Sequence, residues 1–205
     1  MKKIDFKKEF KQLYAASANK VDILKVPRMT MLMIDSEGNP TEGGKFDTAA
    51  GAIYGIAYCL KSLLKKWKKP KGYYDYVVPP FESVWWAESG AFDVNNSPDW
   101  RWRLLLRQPD YVSKAMVKDA VKELAKKREA GPLNAVRLEK FSEGLCAQTL
   151  HLGSYMEEAP TIKRIMEFLD NEGYTIRGNH HEIYMSNPHR VPPERLKTIL
   201  RYPIK

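Results

Sequence analysis

Residues 151–188 read HLGSYMEEAPTIKRIMEFLDNEGYTIRGNHHEIYMSNP, and the order of elements in this stretch recurs elsewhere in the chain. Its centre is a helix. Pro160 suits a first helical turn, where the N–H it lacks would have no partner anyway. Ile162, Ile165, Met166 and Leu169 follow at spacings of three and four, so they share one apolar stripe. Gly173 closes the helix. Upstream, VRLEKFSEGLCAQTLHLG reads as a hairpin turning at Ser142-Glu143-Gly144. Downstream, HHEIYMS reads as a strand, and a proline-rich loop leads to a last strand, LKTILRYPI. The block is therefore strand–helix–strand–strand.

The same order opens the chain. Met29–Ile34 is an apolar run closed by the turn Asp35-Ser36-Glu37-Gly38-Asn39-Pro40, which reads as a buried strand. From Phe46, apolar residues fall at 46, 49, 50, 53, 56, 57, 60, 63, 64 and 67, a sustained helical stripe with Asp47 at its start and lysines at its end. Gly51 and Gly55 lower helix propensity, and close packing against a sheet would account for them. YYDYVV and SVWWAE then read as two strands separated by Pro79-Pro80. Between the two blocks lie the strand RWRLLLRQP, a helix opening at Asp110 and running to about Glu129, and the stop Gly131-Pro132. The expectation is one α+β domain over residues 1–205. A first module spans about 23–90, a connecting segment about 100–141 and a second module about 142–204. Two such modules side by side would form antiparallel sheets backed by helices, with a ligand cleft at the pseudo-two-fold junction. Residues 1–22 are polar and read as a loosely packed surface segment.

Composition narrows the function classes. At 43% hydrophobic and 29% charged residues the chain suits a globular core. Cys59 and Cys146 are isolated within apolar runs, so neither a disulfide framework nor a zinc or redox CxxC pair is present. No window approaches the ~20 apolar residues of a membrane span, and the N-terminus lacks the apolar core of a signal peptide. The chain reads as cytoplasmic, with no membrane partner. The net charge of +9 raises nucleic-acid binding. The densest basic stretch, KSLLKKWKKPK, falls at a helix C-terminus, where cations complement the dipole, and no DNA-reading motif accompanies it. A solvated basic surface is the simpler account, so no nucleic-acid partner is expected.

Catalytic fingerprints such as G-x-S-x-G, a P-loop or G-x-G-x-x-G are absent. The candidates are aromatic and acidic. Trp85 and Trp86 are adjacent in a strand and point to opposite faces; Trp100 and Trp102 have strand spacing. In HHEIYMS, Glu182, Tyr184 and Ser186 share one face, while His181, Ile183 and Met185 share the other. A carboxylate on a buried face is costly without partners; on an exposed face it is an ordinary solvated glutamate. His180 and His181 lack ligand spacing and a third ligand in sequence, so no metal site is read.

The stretch HLGSYMEEAP…GYTIRGNHHEIYMSNP, together with PERLKTILRYPI, MLMIDSEGNP, VPPFESVWW and WRWRLLLRQPDYV, resembles the GyrI-like small-molecule-binding family from about residue 5 to the end. Ser154 stands where proline is common in that pattern, which would loosen the turn presenting Tyr155. The resemblance implies a duplicated strand–helix–strand–strand module. Related domains are effector-binding parts of transcription regulators or gyrase-inhibitor-like proteins, and some stand-alone members are similar to hydrolases that open the cyclopropane ring of DNA-alkylating natural products. It further implies a small hydrophobic or aromatic ligand held by Trp85 or Trp86, Trp102 and Tyr184. Catalysis would fall to Glu182 as general base and Tyr155 or Tyr184 as hydrogen-bond donor, with no metal or organic cofactor, in a monomer or homodimer. The alternatives are a non-catalytic binder of cationic aromatic ligands and a topoisomerase-inhibiting protein.

Overall fold

The computed structural model describes residues 3–40, 42–67, 69–88, 100–127 and 129–205; the module boundary read at residue 90 lies outside them. In chain order the elements are β1 (Ile4–Asp5), α1 (Phe6–Glu9), α2 (Lys11–Tyr14), β2 (Asp22–Val26), β3 (Met29–Glu37), α3 (Lys45–Lys66), β4 (Tyr76–Val77), β5 (Phe81–Ala87) and β6 (Trp100–Gln108). The second half holds α4 (Lys114–Ala125), α5 (Ala130–Asn134), β7 (Arg137–Phe141), β8 (Gly144–Leu152), α6 (Ala159–Glu172), β9 (His180–Tyr184) and β10 (Lys197–Pro203). The fold is α+β. Eight strands form one antiparallel sheet in the order β2-β8-β10-β9-β5-β6-β3-β7, with the long helices α3 and α6 on one face.

That order is a palindrome. Exchanging β2 with β7, β3 with β8, β5 with β9 and β6 with β10 returns the same sequence of strands. The repeating unit is therefore five elements, strand–strand–helix–strand–strand, and the leading strand of each unit adds to the far edge of the other. This explains why the hairpin expected around Ser142-Glu143-Gly144 does not form. β7 pairs with β3, β8 pairs with β2 and β10, and the two lie at opposite ends of the sheet. Gly144 makes the crossing possible with φ +69, and Glu143 anchors it as a buried charge. The first unit also differs from its sequence reading. YYDYVV yields only the two-residue β4, which pairs with β1. The unit's last strand is β6, placed above in the connecting segment, because its run of Leu104–Leu106 is fully buried.

The apolar stripe of α3 buries Ala49, Ala52, Ile53, Ile56, Ala57 and Leu60 against Leu32, Leu104 and Leu106. Truncating Ile53, Ile56 or Leu60 to alanine costs about 2–5 kcal/mol each. In the second half, α6 packs Ile165 and Leu169 on Ala147, Leu200 and Ile204. Gly173 takes the left-handed conformation (φ 74) that ends it. Both helices sit on the face of the sheet carrying Leu200 and its cross-strand partner Glu182. They leave a seam between them along β5 and β9.

The N-terminal segment covers the other face. Phe6, Leu13 and Tyr14 are buried there against Met31, Met33, Val84, Leu105, Ile183 and Ile199, so this segment belongs to the core and is not loose. A balanced charge network pins it. His181 lies between Glu143 (2.9 Å) and Glu82 (3.1 Å), and Arg201 donates to Gln148 (2.9 Å) and to the Leu13 carbonyl (2.8 Å). Tyr14 donates to Glu82 (3.2 Å), and Gln148 donates to the Gln12 carbonyl (2.9 Å). Burial alone would lower the His181 imidazole, but the two carboxylates carry it up to about 8. Against its own burial, Glu143 is held below the usual range by His181 and Arg201.

A folded-state value raised above the unfolded one stabilises the fold at low pH and ceases to as pH rises through it. The His181 contribution is full below about 6.5 and gone above about 8. It amounts to roughly 2 kcal/mol. In calorimetric scans the Tm of wild type should fall by ~4–8 °C more than that of His181→Gln between these limits.

Candidate functional site

Pairing of β5 with β9 sets Phe81 opposite Tyr184, Ser83 opposite Glu182, and Trp85 opposite His180. Directly opposed residues project from the same face, so all six side chains point into the seam between α3 and α6. Glu182 is 5% exposed. One of its oxygens accepts from His180 Nε2 (3.1 Å) and the other from the Tyr184 hydroxyl (2.6 Å). Ser83 Oγ lies 2.6 Å from that hydroxyl, and His180 Nδ1 lies 2.7 Å from the hydroxyl of Tyr202 on β10.

A second carboxyl completes the group. Glu158, at the N-cap of α6, is fully buried with its Oε2 3.7 Å from His180 Nε2. Burial, then the charge of Glu182, pushes Glu158 up to about 8. Burial would lower His180, but the two carboxyls close to it raise it to about 9. Burial and the Glu182 charge raise Tyr184 well above 10 and Tyr155 to about 12, so both stay phenolic donors. Glu158, His180 and Glu182 converge within 4.8 Å, so a third group is near the histidine after all. The three form a buried cluster of two carboxyls about one imidazole.

Aromatic rings close over it. Phe46, at the start of α3, stacks on Trp85 (6.2 Å, 6°) and meets Trp102 (5.5 Å) and Tyr184 (6.5 Å). Phe81 stacks on Tyr184 (6.1 Å, 25°), and Tyr155 meets Tyr184 edge-on (5.5 Å, 82°). Trp102 donates to the Gly38 carbonyl (3.2 Å) and forms the inner wall. The structure thus gathers Glu182, Tyr155, Trp85, Trp102 and Tyr184. Trp86 stands apart, on the opposite face, beneath the Arg103 guanidinium (5.7 Å). Sequence reasoning missed Glu158, Ser83, Tyr202, Phe46 and Phe81. His180 was legible from its two-residue offset to Glu182, whereas nothing local marks Glu158.

Ser154 holds the Tyr155 turn. Its hydroxyl accepts from Met156 N (3.3 Å) while Glu157 accepts from Ser154 N (3.4 Å), a capping box that replaces the rigidity of proline. Gly51 and Gly55 line a groove of about 610 Å³ between α3 and α4, whose lining contains no buried charged group.

Residues 115–205 match the GyrI-like small molecule binding domain. An uncharacterized conserved protein from Listeria innocua is 39% identical with a TM-score of 0.90, over 99% of this chain and 100% of that one. The chain belongs to the GyrI-like small-molecule-binding family. A hydrolase from Listeria innocua is 37% identical with a TM-score of 0.87, over 99% and 100%. The EcmrR C-terminal domain shares the fold at 9% identity with a TM-score of 0.55, over 91% and 97%. No curated protein matches the chain. Among the described residues, no helix of this GyrI-like chain is long and apolar enough to cross a membrane.

The seam geometry separates the two adjacent tryptophans. Calorimetric titration with 1-methylnaphthalene should show affinity about tenfold weaker or worse in Trp85→Leu and within about twofold of wild type in Trp86→Leu.

Proposed function

We propose that this chain binds a flat, largely apolar aromatic electrophile in the seam and hydrolyses it without a cofactor, with Glu182 as the base. The contact between Glu182 and Tyr184 (2.6 Å) carries the reading, because it joins a carboxylate to a phenol in a water-poor site. The description of a 37% identical, full-length relative as a hydrolase supports the same class. A substrate of matching chemistry is a cyclopropane ring conjugated to a carbonyl, as in DNA-alkylating natural products.

The protons balance within the side chains present. A water held by Glu182 gives it a proton while the water oxygen bonds to the strained ring carbon. The ring carbon–carbon bond breaks, and its electron pair passes to the carbonyl oxygen. Tyr184, freed from donating to a carboxylate that is now protonated, gives its proton to that oxygen. Glu182 returns a proton to Tyr184 across the same short bond. Ser83 steadies the phenol, and Tyr155 offers a second donor at the mouth. Trp85, Trp102 and Phe46 hold the ring system in plane.

Incubation with a cyclopropane-bearing alkylator should add one water to it, read by mass spectrometry. Glu182→Gln should lower turnover by ~10²–10⁴-fold with binding nearly unchanged. A ligand that binds and returns with its mass unaltered would place the chain among pure binders instead.

A further inference from the structure

We propose that Glu158 determines which ligand charge the pocket accepts. Its carboxyl and that of Glu182 hold a single proton between them on either side of His180. The floor is therefore electrically neutral and suits an uncharged aromatic molecule, and it becomes a cation site once that proton leaves. This rests on the seam being the ligand site, not on turnover.

Hydrogen-bond donors are short around Glu158 among the described residues. Both oxygens of Glu158 are fully buried, and among the described residues neither accepts a hydrogen bond. His180 Nδ1 is engaged by Tyr202, which leaves Nε2 alone to face both carboxyls, at 3.1 Å from Glu182 and 3.7 Å from Glu158. One N–H cannot satisfy two ionised carboxylates. Glu182 has a second donor in Tyr184, whereas Glu158 has none. An uncompensated carboxylate in a dry site is expensive, and a proton on Glu158 removes that penalty. With Glu158 neutral, the imidazolium and the Glu182 carboxylate cancel.

The titratable groups facing Glu158 among the described residues are few. His180, Glu182 and Tyr184 come from β9, Tyr202 from β10 and Tyr155 from the turn before α6. The tyrosines stay neutral throughout the working range. Glu158 also sits at the positive end of α6, which favours its ionised form, in line with a shift no higher than about 8. Loss of its proton leaves one net negative charge beneath an aromatic box able to hold a cation. At ~7 Å and an effective dielectric of ~20, a unit charge changes cation affinity by roughly 50-fold, and screening brings this nearer tenfold.

Two compounds of one shape test this: N-methylquinolinium, a fixed cation, and 1-methylnaphthalene, its neutral counterpart. Calorimetry from pH 6.5 to 9 reads the ratio of their affinities. The ratio should favour the cation by about tenfold more at the upper end in wild type, and rise by a clearly smaller factor in Glu158→Gln, where His180 is the one member of the cluster still titrating in this range; far-UV circular dichroism of the variant reports an intact fold. Infrared difference spectra of wild type should also lose a protonated-carboxyl C=O band over the same range. A flat wild-type ratio, or a rise of equal size in Glu158→Gln, overturns the proposal. Failure of both compounds to bind wild type overturns the seam as the ligand site. Failure to hydrolyse an alkylator touches only the reaction proposed above.

Discussion

The antiparallel pairing of β5 with β9 is the constraint on which the molecule depends. It joins the two repeated units into one sheet. It also fixes, residue by residue, which side chains look into the seam and which look at the N-terminal segment. Ser83, Trp85, His180, Glu182 and Tyr184 fall on one face; Glu82, Val84, His181 and Ile183 fall on the other. A slip of one residue would exchange the two sets. It would drive Glu182 into the apolar core and the ion-paired His181 into the seam. The buried networks on both faces therefore secure the register as well as the chemistry.

The two networks use the same residue types to different ends. Behind the sheet, Glu82 and Glu143 meet His181 and Arg201, so charges balance and nearly every polar atom has a partner. In the seam, Glu158 and Glu182 meet one imidazolium, and the balance is left one donor short. A fully matched network rigidifies. A network lacking one donor keeps a carboxyl poised to hold or lose a proton, as acid–base chemistry requires.

Much of this was legible in the sequence, for physical reasons. The helix stripes of α3 and α6 have a period that no tertiary contact needs to rescue, and HHEIYMS displays the alternation that puts Glu182 and Tyr184 together. The GyrI-like resemblance lay in motifs local to single elements. What escaped depended on partners far apart in the chain. Ser142-Glu143-Gly144 has hairpin chemistry, yet Glu143 is drawn away by His181, 38 residues on. Glu158 sits in a glutamate pair before a proline, which reads as ordinary helix capping. Only the meeting of α6 with β9 gives it His180 as a neighbour. The N-terminal segment looked like surface because its many lysines outweigh Phe6, Leu13 and Tyr14, the residues that dock it. Trp86 could be separated from Trp85 by alternation, but only the register showed which of the two faced the seam.

The central claim is that Glu182 directs a water oxygen onto the strained carbon of a bound electrophile. It is tested most directly by running a single turnover in heavy-oxygen water and locating the label by fragmentation of the product. The account predicts that the label appears on the carbon that belonged to the ring, and that Glu182→Gln yields bound, unlabelled, unopened ligand. A ring opened without the label, or label incorporated equally by the variant, would contradict it.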